Sequence, residues 1–195
     1  FDFNNKVIEF SDFNIELGDA FLKGGGLIEL GNEQGPSFNF ITDLQNMEIR
    51  NLLKYWPPKI SKGGYKWVDN NISKGFITTA KIVIDIRPED LKVKPLPKKS
   101  FRADFQFKDV NANYLNPMPF IERASGYGNV SSNYLEVNIE KGRSFDIDFG
   151  NSVFKIENMA SRENRFGRVH LNTRSRIRKA LQFVNHKPLS LATKF

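Results

Sequence analysis

Cysteine is absent from this sequence, which excludes a disulfide framework, a zinc–thiolate centre and a thiol nucleophile. Histidine is nearly absent. His170 and His186 are the two present, and no nearby residues complete a metal set around either at ligand spacing; both read as surface or structural side chains. There is no Gly-x-Ser-x-Gly elbow. The glycine run Gly24-Gly25-Gly26 lacks the following Lys-Ser/Thr and the helix of a phosphate loop. No apolar run approaches the roughly 18 residues that cross a bilayer, and no signal peptide is visible. A cysteine-free chain suits a bacterial envelope protein and equally many cytosolic ones.

What the sequence does contain is alternation. Hydrophobic residues make up 39% of the 195, and phenylalanine supplies 18 of them. The chain is apolar in stripes rather than throughout. Phe101, Ala103, Phe105 and Phe107 recur at every second position. So do Phe76, Thr78, Ala80, Ile82, Ile84 and Ile86, then Leu135, Val137 and Ile139, then Phe145, Ile147 and Phe149. Side chains two apart share one face of a strand, so these segments predict sheet with one apolar and one polar face.

Punctuation divides the chain. Residues 1–45 read as strands, with Phe13, Ile15 and Leu17 in one, Leu22 to Leu30 in the next and Phe38, Phe40, Thr42 and Leu44 in a third. Gly18-Asp19, Gly31-Asn32 and Gly35-Pro36 mark the turns. Ile49, Leu52, Leu53 and Trp56 follow helical spacing, predicting a short helix near 46–56 that Pro57-Pro58 stops. A second helix is expected near 61–72, with Ser61 as its cap. Strands are expected at 75–86, 101–110, 124–132, 134–140 and 144–150, and one or two more within 151–175. Ile177, Ala180, Leu181 and Val184 predict a last helix over 176–185. Glycines inside strands, at 24–26, 126 and 128, suit bulges or bends in a strongly curving sheet.

Two charged groups stand out. Asp146 and Asp148 alternate with Phe145, Ile147 and Phe149; paired carboxylates do acid–base chemistry when burial splits their pKa values, but the wet face of a half-buried strand explains them more simply. Arg162, Arg165, Arg168, Arg174, Arg176, Arg178 and Lys179 lie within 18 residues against Glu163 alone, and supply six of the seven net positive charges. Arginine forks match phosphate groups, so this cluster is the candidate for a lipid headgroup or nucleic acid, or a solvated basic face. No nucleic-acid fold signature accompanies it.

Several segments in order resemble the AsmA-like family, specifically the conserved region of the large YhdP-type envelope proteins. These are Tyr55-Trp56-Pro57-Pro58 after a short helix; Gly64-Tyr65-Lys66-Trp67-Val68-Asp69-Asn70-Asn71-Ile72 leading into Gly75-Phe76-Ile77-Thr78-Thr79-Ala80; Phe105 to Leu115 with Pro119 and Gly126-Tyr127-Gly128; and Ala180 to Phe183 through Pro188-Leu189 to Phe195. The resemblance covers most of residues 40–195. The Lys and Asn content departs from the typical member, and the basic cluster has no assigned role. The resemblance implies a long antiparallel sheet, mainly β with a few short α-helices, strongly curved into an open hydrophobic groove. It implies an inner-membrane anchor, a periplasmic location and carriage of phospholipid toward the outer membrane, with no enzymatic step and no cofactor.

These readings combine into one expectation. Residues 1–195 form a piece of a longer β-groove domain, since the chain opens without Met inside the alternating Phe1-Asp2-Phe3 and stops at Thr193-Lys194-Phe195. Phospholipid acyl chains would lie on Phe38, Phe40, Ile82, Ile84, Phe105, Phe107, Leu135, Val137, Ile139, Phe145, Ile147 and Phe149. The inner and outer membranes would be reached through parts outside this piece, and nucleic acid is not expected as a partner. The alternative is a β-rich assembly module whose stripes close into a sandwich or barrel core.

Overall fold

The computed structural model describes residues 6–30, 35–56, 61–161 and 163–191. The Phe1-Asp2-Phe3 opening, the Gly31-Asn32 turn, Pro57-Pro58, Arg162 and the last four residues lie outside the described residues. The chain runs as an antiparallel meander: β1 (Val7–Leu17), β2 (Ala20–Glu29), β3 (Ser37–Glu48), α1 (Ile49–Tyr55), α2 (Lys62–Asn71), β4 (Ile72–Ile86), β5 (Phe101–Ala112), β6 (Ile121–Ser131), β7 (Tyr134–Ser144), β8 (Ile147–Phe149), β9 (Ser152–Glu157), β10 (Phe166–His170), β11 (Thr173–Arg174) and α3 (Ile177–Asn185). Strands β1 to β7 pair in sequence order. Beyond β7 the sheet continues as two short pairs side by side, β8 with β11 and β9 with β10. The result is one open 11-stranded sheet. It is not the closed sandwich or barrel of the alternative expectation, and among the described residues the outer sides of β1, β10 and β11 have no strand partner.

Register puts the apolar stripes together. Directly opposed residues share a face. One row runs Leu22, Leu44, Ala80, Phe105, Gly128, Val137, Phe154 and Val169 across eight strands. The next contains Thr42, Ile82, Ala103, Val130, Leu135 and Ile156. Toward one end follow Phe10, Gly26, Phe40, Ile84 and Phe101, then Ile8, Ile28, Phe38 and Ile86. Toward the other end lie Met47, Ile77, Phe107, Gly126 and Ile139. Aromatic rings cover glycines of neighbouring strands in these rows. A Cβ on Gly26 would sit 2.2 Å from Cδ1 of Phe40, and one on Gly128 would sit 2.7 Å from Cζ of Phe105.

Bulges interrupt the strands, several of them at residues with left-handed backbone. Asp12 on β1, Asn46 on β3, Asp109 on β5 and Arg123 on β6 have φ between 47° and 53°, and register shifts accompany the bulges of β1, β5 and β6, as well as one between Ile77 and Thr79 on β4. An extra residue bends a strand and reverses the phase of its alternation. That corrects the reading of β4. Ile77, not Phe76 or Thr78, continues the apolar face, and Phe76 instead lies under the Lys108 ammonium at 5.7 Å. The segment 144–150 is also corrected. Phe145 and Asp146 form the two-residue turn between β7 and β8, both with positive φ, so only Ile147 and Phe149 stand on a strand. Residues 151–175 contain three strands rather than one or two. Ser61 precedes α2 in a left-handed conformation without a side-chain cap bond, so it serves the helix through its carbonyl, which accepts from the Tyr65 N–H at 3.0 Å.

The helices fall within their expected ranges and cover one end of the apolar face. Ile49 of α1, Val68 of α2 and Phe183 and Val184 of α3 share a core with Phe107, Val110, Ile139, Ile147 and Phe149. Met118, in the connection after β5, is buried in the same core, and the Tyr114 ring meets Phe154 at 6.1 Å. The Tyr114 hydroxyl is buried without a hydrogen bond of full geometry. Burial pushes its pKa up to about 12, with the neighbouring Ser144 hydroxyl offsetting part of the shift.

The glycine rows generate a test. Gly128→Ala places a methyl 2.5 Å from the Glu136 carbonyl oxygen and against the Phe105 ring, and should cost about 1–3 kcal/mol of stability by overpacking. Gly167→Ala, where a Cβ meets nothing within 4 Å, should stay within about 0.5 kcal/mol of the parent. Urea denaturation of both variants decides it; equal effects would refute the register described.

Candidate functional site

The twelve apolar residues singled out from the sequence separate into three groups. Phe38, Phe40, Ile82, Ile84, Phe105, Leu135 and Val137 share the apolar face and are half-buried. Phe107, Ile139, Ile147 and Phe149 are buried among the chain's own side chains. Ile147 and Phe149 retain only 2% and 4% of their surface, and the Phe149 ring meets that of Phe183 at 5.9 Å. Phe145 is exposed in its turn beneath the Lys179 ammonium, 4.9 Å from the ring centre. Eleven of the twelve thus stand on the apolar face, Phe145 does not, and the alternation did not separate the filled end of that face from the rest.

The uncovered end is the more informative. In the rows Phe10-Phe40-Ile84-Phe101 and Ile8-Ile28-Phe38-Ile86, every residue is half-buried or exposed, whereas the row through Met47, Phe107 and Ile139 is almost wholly buried. Phe10 and Phe40 lean together over Gly26, their rings 5.8 Å apart. Ile8, Phe10, Ile28, Ile86, Phe101 and Ile156 belong to the same surface and were not singled out from the sequence as part of the site. A period-2 signal exists at most of these positions, but β9 offers only two such residues, too few to stand out.

The opposite face carries a charged row, with Phe21, Ile41 and Tyr127 exposed beside it. One cross-strand row reads Asn14, Lys23, Asp43, Lys81, Asp104, Asn129, Glu136, Lys155 and Arg168. Opposite charges stand on neighbouring strands at four of its eight steps, from Lys23 to Asp104 and at Glu136–Lys155, which favours this register over a slip. A depression of about 660 Å³ lies over this row, between Lys23 and Asn129, and a second of about 320 Å³ adjoins it beside Thr78, Gln106 and Tyr127. At Glu136 the carboxylate accepts from the Tyr134 hydroxyl, from Lys155 at 2.9 Å and from the Asn138 amide at 3.2 Å. These donors, Tyr134 foremost, hold its pKa at about 2, and the same contact pushes the Tyr134 phenol and the Lys155 ammonium up.

The basic cluster does not form one site. The Arg165 guanidinium donates to the Met159 carbonyl at 2.9 Å, and Arg168 lies over the Phe166 ring at 5.5 Å. Arg174 stands on β11, Arg176 precedes α3, and Arg178 points into solvent from its first turn. Lys179 pairs with Asp146 at 3.4 Å. Arg143 pairs with Asp146 at 3.0 Å and with Asp148 at 3.9 Å, so these two exposed carboxylates are tied to cations rather than arranged as an acid–base pair.

Among the described residues no group of His, Asp and Glu is placed to hold a metal ion, and no helix is long and apolar enough to cross a membrane.

The Glu136 contacts predict a pH signature. The folded pKa lies near 2 against an ordinary value of 4.5, so the carboxylate stabilises the sheet above pH 4.5 and loses that contribution as pH falls toward 2. The gap in urea stability between the parent and Glu136→Gln should be constant near neutral pH and shrink across that window. A gap independent of pH would contradict the assignment.

No curated protein and no solved structure matches the chain. A family model described as "YhdP protein" matches residues 3–194, nearly the whole sequence and every element of the sheet. By that match the chain belongs to the YhdP protein family.

Proposed function

We propose that this chain is a lipid-binding segment of a bacterial cell-envelope protein, a passive surface along which phospholipid acyl chains lie and move. The observation that carries the reading is the end of the apolar face that no α-helix of the described residues covers, where Phe40, Ile84 and Phe38 are only half-buried on a broad sheet. Removing each CH₂ of an acyl chain from water contributes about 0.8 kcal/mol, and this surface offers apolar contact to many of them. The polar face keeps the other side of the sheet in water. No step in this function requires bond making or breaking.

Family membership supports the wider setting: a periplasmic portion of an inner-membrane-anchored protein that passes phospholipid toward the outer membrane. The helix-filled end and the open end would then differ in role. The core around Phe149 and Phe183 holds the sheet in shape, and the surface around Phe40 and Ile84 receives the lipid tail. The seven half-buried residues, Phe38, Phe40, Ile82, Ile84, Phe105, Leu135 and Val137, are the contacts this reading assigns to the acyl chain.

Two measurements separate the two ends. Protein purified without detergent and extracted into organic solvent should release phospholipid detectable by mass spectrometry. Phe40→Asp or Ile84→Asp should reduce that lipid several-fold, since an ionised group is costly in an apolar contact, while Tyr127→Asp on the polar face should not. Conversely, Phe149→Ala should cost about 3–5 kcal/mol of stability as a buried aromatic truncation, and Phe40→Ala much less. Absence of lipid from the parent protein would overturn the reading.

A further inference from the structure

The last helix uses only part of its apolar stripe. On α3, nine residues long, Ile177, Ala180, Leu181 and Val184 fall at helical spacing on one side, with Phe183 at the margin of that stripe. The fold covers the Phe183 margin: Phe183 is buried, and Ala180 and Val184 are half-buried. Ile177 and Leu181, one turn apart, stay 80% and 61% exposed. Packing accounts for Phe183 and gives no reason for an apolar pair turned to water.

The surroundings are basic and equally exposed. Every residue from Glu163 to Arg174 is exposed, including Phe166 at 53% and Val169 at 56%. Between residues 163 and 187 there are seven Lys and Arg against the single Glu163. Arg176 and Arg178 flank Ile177 at the start of α3, which has no acidic residue in its first turn. Cations there oppose the positive end of the helix dipole, so intrahelical electrostatics do not favour them. An external negative surface would.

We propose that the Ile177–Leu181 side of α3, with Arg176 and Arg178 beside it, is a docking surface for an anionic phospholipid bilayer. An interfacial helix of this kind buries its apolar side chains at the boundary between headgroups and acyl chains while its basic residues remain among the phosphates. The choice of a bilayer rests on charge complementarity: Arg176 and Arg178 flank Ile177 with no acidic residue in the first turn of α3, and the segment 163–187 carries six net positive charges in sequence. The site differs from the acyl-chain surface around Phe40, because it meets the face of a membrane rather than a single lipid.

Flotation of the 195-residue chain with vesicles tests it. The chain should float with vesicles of phosphatidylcholine mixed with phosphatidylglycerol, far less with phosphatidylcholine alone, and less as salt rises. Ile177→Ser with Leu181→Ser, or Arg176→Gln with Arg178→Gln, should each weaken vesicle binding by about tenfold or more, with the urea midpoint unchanged because the side chains are exposed. Phe40→Asp should leave vesicle binding intact, and the α3 variants should retain co-purified lipid, so the two sites fail separately. Equal binding to neutral vesicles, no binding to anionic ones, loss through Phe40→Asp instead of the α3 variants, or self-association of the chain abolished by Leu181→Ser would each overturn the proposal.

Discussion

From Leu22 on β2 to Phe154 on β9, each strand is held in the one register that brings its apolar side chains to the same face. A slip of one residue in any strand would turn that strand's Phe, Ile and Val into the charged row opposite. Two constraints oppose a slip. The rings of Phe40 and Phe105 lie over Gly26 and Gly128, where a side chain would collide. On the other face, Lys23, Asp43, Lys81 and Asp104 alternate in sign from strand to strand, and Glu136 meets Lys155. Individually such exposed pairs contribute little, ~0–1 kcal/mol. Their value is in making the shifted registers worse.

The same register explains why one sheet has two kinds of apolar surface. The bulges at Asn46, Asp109 and Arg123 fall near the helix-bearing end. There the strands bend, and α1, α2, α3 and the 113–120 connection pack beneath them. Away from the bulges the strands run on with Ile84, Phe40 and Phe38 on the same face, and among the described residues no α-helix packs over them. A protein that needed only stability would bury those rows too, since full burial of each such side chain is worth about 1.5–3 kcal/mol. Their half-exposure is therefore a feature the fold tolerates against its own stability, and occupancy by an acyl chain is the physical account offered for it.

Much of this was legible in the sequence. Period-2 stripes marked the strands and the face, and i, i+3, i+4 spacing placed all three helices. What escaped was whatever changes phase without changing composition. The bulge between Ile77 and Thr79 moves Phe76 off the apolar face, although the letters around it alternate smoothly. The Phe145-Asp146 turn looks like strand because Phe145 is no usual hairpin-turn residue and no Gly or Asn accompanies Asp146, yet both adopt positive φ. Alternation also cannot tell Phe149 from Phe40. Both sit on the same side of the sheet, and only the helices arriving from distant parts of the chain decide which one is sealed. The arginine cluster was visible as composition, but its division among a strand edge, a turn and a helix depended on the path of β10, β11 and α3.

The central claim is that the uncovered end of the apolar face meets lipid tails and the polar face does not. A photo-crosslinking phenylalanine analogue introduced at position 40, and separately at position 127, tests it most directly, because both sites lie on central strands but face opposite ways. Irradiation in lipid-bearing preparations, followed by mass spectrometry of the modified protein, should yield phospholipid adducts at position 40 and none at position 127. Adducts at neither position, or equally at both, would contradict the account.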